Sequence, residues 1–176
     1  MDNQESGNTR GIGISMVVLA WILLLGILAW WFAGYEESQN NPNQNINSRY
    51  TAEGIQEIVL QRNRYGHYVA TGSINNVPVT FLLDTGASDV SIPDSLAKKL
   101  GLKRGISQIY NTANGQITAY ATRLDRIDLG GIELRNIRAS INPAVQGEEI
   151  LLGMSFLKEL EFTQRGDTLT IRTTLR

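Results

Sequence analysis

The sequence predicts an all-β fold: a small closed β barrel with a hairpin arm and one short helix, preceded by one transmembrane helix. Three observations carry this. A charge-free apolar run fills residues 11–34. From Glu57 onward, short apolar or alternating runs recur at strand length. Between them stand Asn75-Asn76, Asn114-Gly115 and Gly130-Gly131, pairs that tolerate the positive φ of tight hairpin turns.

Residues 1–11 form a short leader, and residues 12–34 form the membrane helix. Ile12 to Ala33 would rise about 33 Å as a helix, against a hydrocarbon core of roughly 30 Å. Trp30, Trp31 and Tyr35 sit at one end, where interfacial aromatics are favoured. A cleaved signal peptide is the main competitor. Its apolar core would be shorter, and Ala33 with Trp31 makes a poor cleavage pair before Gly34. Arg10 lies before the helix, while Glu36 and Glu37 follow it. The positive-inside rule therefore puts the N-terminus in the cytoplasm and the remainder across the membrane.

Residues 35–52 read as an Asn-rich linker. The stretch Ser38 to Ser48 has almost no apolar side chain to bury and no charge, which suggests a disordered tether. The folded domain is expected over residues 53–176. Its strands begin at Glu57–Gln61, His67–Ile74 and Val77–Leu83, with Pro78 marking a strand start or edge. Val90–Ile92 is a short strand. Pro93–Leu100 reads as a short helix, with Asp94 early, Lys98 and Lys99 late, and Gly101 closing it. Ile106–Tyr110 and Gln116–Leu124 flank a hairpin tip at Asn114-Gly115. Ile127–Leu129, Ile132–Leu134, Ile137–Ile141, Glu149–Leu152, Leu160–Phe162 and Thr168–Arg172 supply the rest, with a helical turn at Met154–Leu157. Many short strands with such turns point to the closed barrel.

Composition excludes several chemistries. Apolar residues make up 42% of the 176-residue chain, enough for a core. A net charge of -1 gives no general reason to expect nucleic acid as a partner. Without cysteine there are no disulfides, thiol nucleophiles or thiolate metal sites. His67 is the only histidine, so one chain cannot build a histidine cluster.

Asp84 carries the strongest chemical signal. It follows the apolar strand Val79–Leu83 and opens the run Asp84-Thr85-Gly86-Ala87-Ser88. A carboxylate at the end of a buried strand needs stabilising partners. Thr85 can donate a hydroxyl hydrogen bond. Gly86 allows a tight backbone that brings amides close. Ala87 fits a crowded loop, and Ser88 can bond the loop to itself. One carboxylate hydrolyses peptides poorly. Two held close share a proton, one acting as base toward water and the other as acid toward the carbonyl. That chemistry calls for no cofactor and no metal. The bland alternative is an aspartate capping a turn.

Residues 53–176 resemble the retroviral-type, retropepsin-like aspartic proteases, closest to their small bacterial membrane-anchored group. Asp84–Ser88 matches the active-site loop, in which the aspartate is catalytic and the Thr hydroxyl braces the loop across a dimer. Leu151-Leu152-Gly153 matches the element that packs behind it, as structural support. Met154–Leu157 resembles the helix start of the bacterial group. Thr112-Ala113-Asn114-Gly115 lies where the family places its flap. Ser88 departs from the second aspartate of many viral members, which weakens any transfer of viral dimer contacts. A single loop of this kind implies a homodimer with one Asp84 from each subunit, acting on an extended polypeptide. With the helix 12–34 in the lipid bilayer, the resemblance implies a bacterial inner-membrane protein with a periplasmic protease domain. The alternative is a non-catalytic dimeric peptide-binding or adaptor module.

The neighbouring residues read more plainly. His67 is expected on an exposed strand. Asp89 belongs to loop or surface, and Asp125 and Asp128 flank a turn. Tyr110 and Tyr120 either pack on the barrel or line pockets. Val90, Ile150 and Leu151 are core or pocket wall. Leu169–Leu175 either joins a dimer sheet or simply closes the domain.

Overall fold

A computed structural model describes residues 5–112 and 115–174. Met1–Gln4 of the leader, Ala113 and Asn114 of the expected flap, and Leu175 of the terminal stretch lie outside the described residues. The chain divides into two compact units, Met1–Gln39 and Asn40–Arg176.

The first unit is helix α1, Glu5–Asn40. Its apolar side chains are exposed all round. Among the described residues from Gly11 to Gly34 no polar face is offered to water, so a lipid environment is the one that suits this stretch. Trp31 and Tyr35 stack with ring centroids 6.0 Å apart. From Gly11 to Asn40 it is long and apolar enough to cross a membrane, which supports a single-pass membrane protein. The helix ends where Asn41 precedes Pro42; a residue before proline is pushed out of the helical region.

The second unit begins at once. Asn41 and Asn43 are both buried. The Asn43 amide donates to the carbonyls of Val69 (2.7 Å) and Gln61 (2.9 Å) and accepts from the Gln61 N–H (2.7 Å). Asn41 donates to the Thr71 hydroxyl at 2.9 Å. The disorder expected for residues 38–48 thus does not hold at these two positions. Asparagine offers nothing to a hydrophobic core, but it can satisfy the strand ends it crosses.

Strands β1 (Ser48–Tyr50) and β2 (Gln56–Gln61) open the sheets. β3 (Val69–Ile74) and β4 (Val77–Leu83) form a hairpin. Asn75 and Asn76 turn it with φ of 49° and 68°. Pro78 lies on β4 ahead of Thr80, where pairing with the far neighbour begins, so its missing N–H costs no ladder bond. β5 (Val90–Pro93) leads into helix α2 (Asp94–Lys99). β6 (Ser107–Thr112) pairs with the long β7 (Gly115–Leu129). β7 turns through Gly130-Gly131 into β8 (Ile132–Asn142). β9 (Glu149–Leu152) runs into the one-turn helix α3 (Met154–Leu157). β10 (Leu160–Arg165) and β11 (Thr168–Thr173) close the chain as a hairpin.

Seven strands form one sheet in the order β3-β4-β9-β5-β8-β7-β6, and four form another, β1-β2-β11-β10. The larger sheet curls until Ser73 and Ile74 of β3 pair with Asp128 and Ile127 of β7. Gly72 permits that approach, since a Cβ there would lie 2.4 Å from the Asp128 carbonyl oxygen. β4 runs parallel to β9, and β5 runs parallel to β8. The expectation of an all-β chain built as one closed barrel is therefore corrected. The architecture is mixed α/β, with two sheets, two parallel pairings and helices after β5 and β9 as well as α1. Alternation reports which residues lie in strands, but not how many sheets share them.

The core holds Phe81, Ile92, Leu124, Ile127, Leu129, Ile132, Ile141, Ile150, Leu152 and Phe156, all fully buried. Each such side chain contributes about 1.5–3 kcal/mol relative to exposure. In the smaller sheet Glu57 is buried. It lies directly across from Arg49 and Arg172 and pairs with both. β11 has β2 on one side and β10 on the other, so it closes the domain as an internal strand.

Candidate active site

Asp84 sits just past β4, half-buried. The parallel pairing of Leu83 with Leu152 brings the Leu152 carbonyl to the Asp84 N–H at 3.2 Å. The Gly86 N–H donates to Asp84 Oδ1 at 2.8 Å, and the Ala87 N–H reaches the Asp84 carbonyl at 3.2 Å. The backbone thus curls around its own carboxylate and fixes its orientation. Thr85, Gly86 and Ser88 are exposed, and Ala87 is half-buried.

α3 carries the loop from behind. The Met154 N–H donates to the Ala87 carbonyl (2.8 Å), and the Ser155 N–H donates to the Ser88 carbonyl (3.0 Å). These are the otherwise unpaired amides of a helix start. Ser88 is therefore bonded through its backbone rather than its hydroxyl. Within the described residues neither the Thr85 nor the Ser88 hydroxyl has a hydrogen-bond partner. Leu152 is fully buried and Leu151 half-buried. Gly153 lies so close to the loop that a Cβ would fall 2.6 Å from the Ala87 carbonyl oxygen. Val90 and Ile150 are core.

Sequence reasoning missed Ser155. Its buried hydroxyl accepts from the Val90 N–H (3.1 Å) and donates to the Arg138 carbonyl (2.7 Å), tying the loop to β8. It also left Asp89 as loop or surface; the residue is in the loop, but it is not at the surface. Asp89 is 6% exposed, accepting from Arg138 Nε (2.6 Å) and the Tyr110 hydroxyl (2.8 Å). Burial first, then the Asp89 carboxylate, pushes the Tyr110 hydroxyl above its ordinary range and keeps it a donor. A legible sign was position: Asp89 directly precedes a strand whose Val90 and Ile92 are buried, where a lone carboxylate needs a partner.

The β6–β7 hairpin ends with Thr112 paired to Gly115, and the Thr112 hydroxyl donates to the Gly115 carbonyl at 2.7 Å. Tyr120 packs under the Arg104 guanidinium, 4.6 Å from the ring centroid. Arg104 in turn pairs with Asp94 of α2. His67 is exposed in the loop before β3. Asp128 Oδ1 accepts from the Gly131 N–H at 3.2 Å, a turn role.

A cleft of about 300 Å³ opens at Asp84, walled by Tyr68, Leu83, Thr85, Leu157, Phe162, Gln164 and Leu169. Among the described residues the buried Tyr68 hydroxyl has no hydrogen-bond partner. A half-exposed carboxylate in a largely apolar cleft can hold and pass a proton to a bound group.

Residues 70–159 match the family described as "gag-polyprotein putative aspartyl protease". An uncharacterized protein of Sinorhizobium, from the cobV 5' region, is 38% identical over 125 residues, covering 69% of this chain and 54% of its own. An uncharacterized protein of Rickettsia prowazekii is 34% identical over 110 residues, covering 61% and 47%. The chain spans about half the length of these curated relatives. The crystal structure of a retropepsin-like aspartic protease from Rickettsia conorii aligns with 29% identity and a TM-score of 0.55, over 73% of this chain and 95% of that one.

Proposed function

The chain belongs to the retropepsin-like aspartic-protease family, and from that membership we propose that it is a membrane-tethered aspartic endopeptidase completed by a second copy of itself. The observation that carries the reading is the Asp84 loop. Its carboxylate is oriented by the Gly86 amide and opens onto a largely apolar cleft. The sequence holds one loop of this kind, so a working pair of carboxylates takes Asp84 of the partner subunit.

In the pair, two close carboxylates share one proton. The ionised member takes a proton from a water molecule as that water attacks the peptide carbonyl carbon. The protonated member gives its proton to the carbonyl oxygen. The tetrahedral diol then collapses: its C–N bond breaks and the departing amine takes up a proton. Base and acid both come from protein, so the reaction needs no cofactor. Thr85 to Ser88 hold the loop, Leu151 to Gly153 back it, and the hairpin residues 112–115 cover an extended polypeptide that pairs with backbone edges.

The domain that does this spans residues 53–176, with Asn41, Asn43 and β1 of the segment 35–52 packed onto it and residues 12–34 in the bilayer. With Arg10 on the cytoplasmic side, the protease faces the periplasm of a bacterial cell and cuts proteins beside the inner membrane.

The test uses the full chain in detergent micelles with a diverse peptide library, between about pH 4 and 7. Wild type should cleave with a rate that rises faster than linearly with protein concentration while monomer dominates. Asp84→Asn should lose ~10³-fold or more. Equal cleavage by Asp84→Asn would sink the mechanism. A demonstrable dimer that cleaves nothing would favour a peptide-binding adaptor instead.

A further inference from the structure

Asp89 joins three elements that the active-site reading leaves separate. It is the residue after Ser88, so it continues the Asp84 loop. Its Oδ1 accepts from Arg138 Nε on β8 at 2.6 Å, and its Oδ2 accepts from the Tyr110 hydroxyl on β6 at 2.8 Å. The carboxylate is almost wholly buried while the Arg138 side chain is 64% exposed. The tyrosine hydroxyl also approaches Gln108 Oε1 at 3.0 Å. It has one proton to give, and the charged carboxylate is the stronger acceptor.

We infer that Tyr110 is a positioning residue that latches the β6–β7 hairpin to the loop carrying Asp84, through Asp89 held in place by Arg138. β6 makes the latch necessary. It is the edge strand of its sheet, and its residues are mostly exposed, including Ile109 at 71%. An exposed edge hairpin opens easily, because little apolar burial opposes opening. Tyr110 is the half-buried residue of that strand. A hydrogen bond to a buried charge is stronger than a neutral one, and breaking it leaves the acceptor short of a partner. The hairpin's position and the loop's geometry are therefore coupled through one hydroxyl. The role in catalysis rests on the protease reading; the latch itself does not.

Hydrogen exchange on the full chain in lipid nanodiscs tests the latch independently of activity. Tyr110→Phe removes only the hydroxyl. Amides of residues 107–112 and 115–120 should exchange about tenfold faster, while those of β2 and β11 stay unchanged. Ile109→Thr, on the same strand but away from Asp89, should leave the hairpin rates within about twofold. Unchanged hairpin exchange in Tyr110→Phe would overturn the latch. So would equal acceleration in both variants, or acceleration spread evenly through the domain. Where wild type cleaves peptides, Tyr110→Phe should raise KM about fivefold and change kcat less than twofold. A fall in kcat with KM unmoved would remove the proposed role. A wild type that cleaves nothing would count against the protease reading and leave the exchange result standing.

Discussion

Gly153 lies against Asp89 so closely that a Cβ on the glycine would fall 2.2 Å from the Asp89 carbonyl oxygen. No side chain fits that gap, although the glycine's φ of -88° suits any residue. The constraint is purely one of space. It holds β9 and α3 directly behind the Asp84 loop. Gly153→Ala should therefore displace the loop. We expect a loss of about 1–3 kcal/mol in urea unfolding, with cleavage falling further than stability does. A variant as stable and active as wild type would show that the loop moves aside without cost.

Ser155 offers a milder probe of the same contact. Ser155→Ala keeps the helix but strips the Val90 N–H of its buried acceptor. Leaving one buried donor unsatisfied costs about 1–3 kcal/mol. Chemical denaturation should register that loss, and Ser155→Thr should recover part of it if the added methyl group is tolerated.

Glu57 gives the small sheet an acid-sensitive joint. Hydrogen bonds from Arg172, then Arg49, hold its carboxyl below its ordinary 4.5. The unfolded chain binds that proton more readily, so protonation favours unfolding. The stabilisation is complete above about pH 4.5 and drains away as pH falls through the lower folded-state value. Glu57→Gln should lower the melting temperature by about 5 °C at pH 7. The gap from wild type should narrow steadily below pH 4.5. A gap that is constant with pH would assign the effect to packing rather than charge.

Asn43 tests where the folded unit starts. Its amide serves one N–H and two carbonyls. Asn43→Ala should cost about 2–3 kcal/mol, and Asn43→Asp should also destabilise, because a carboxylate cannot donate to Gln61 and Val69. A chain beginning at Asn40 should melt higher than one beginning at Tyr50. Equal melting temperatures would reduce the Asn segment to a passive spacer.

Much of the molecule was legible because its signals are local. The apolar run, the Asn75-Asn76 and Gly130-Gly131 turns, and the strand that delivers Asp84 all follow from neighbouring residues. What escaped was set by distant ones. Whether β3 meets β7 depends on Gly72 and Asp128, more than fifty residues apart. Asn43 looked like tether because its partners, Gln61 and Val69, lie in other strands. Asp89 read as loop or surface, and its burial came only with Arg138 and Tyr110, which arrive from β8 and β6. A polar residue's burial depends on partners that one sequence does not pair.

β11 has a neighbour along each edge, so that strand has no free edge to lend to a second copy. For a paired enzyme, folding would be a property of one chain and assembly a matter of encounter between two finished bodies. If the active unit is a pair, it lasts only as long as one meeting. Crowding in the bilayer would lengthen its working time, and lateral spreading would end it with both subunits intact. Such an enzyme needs no inhibitor to be silent, only distance.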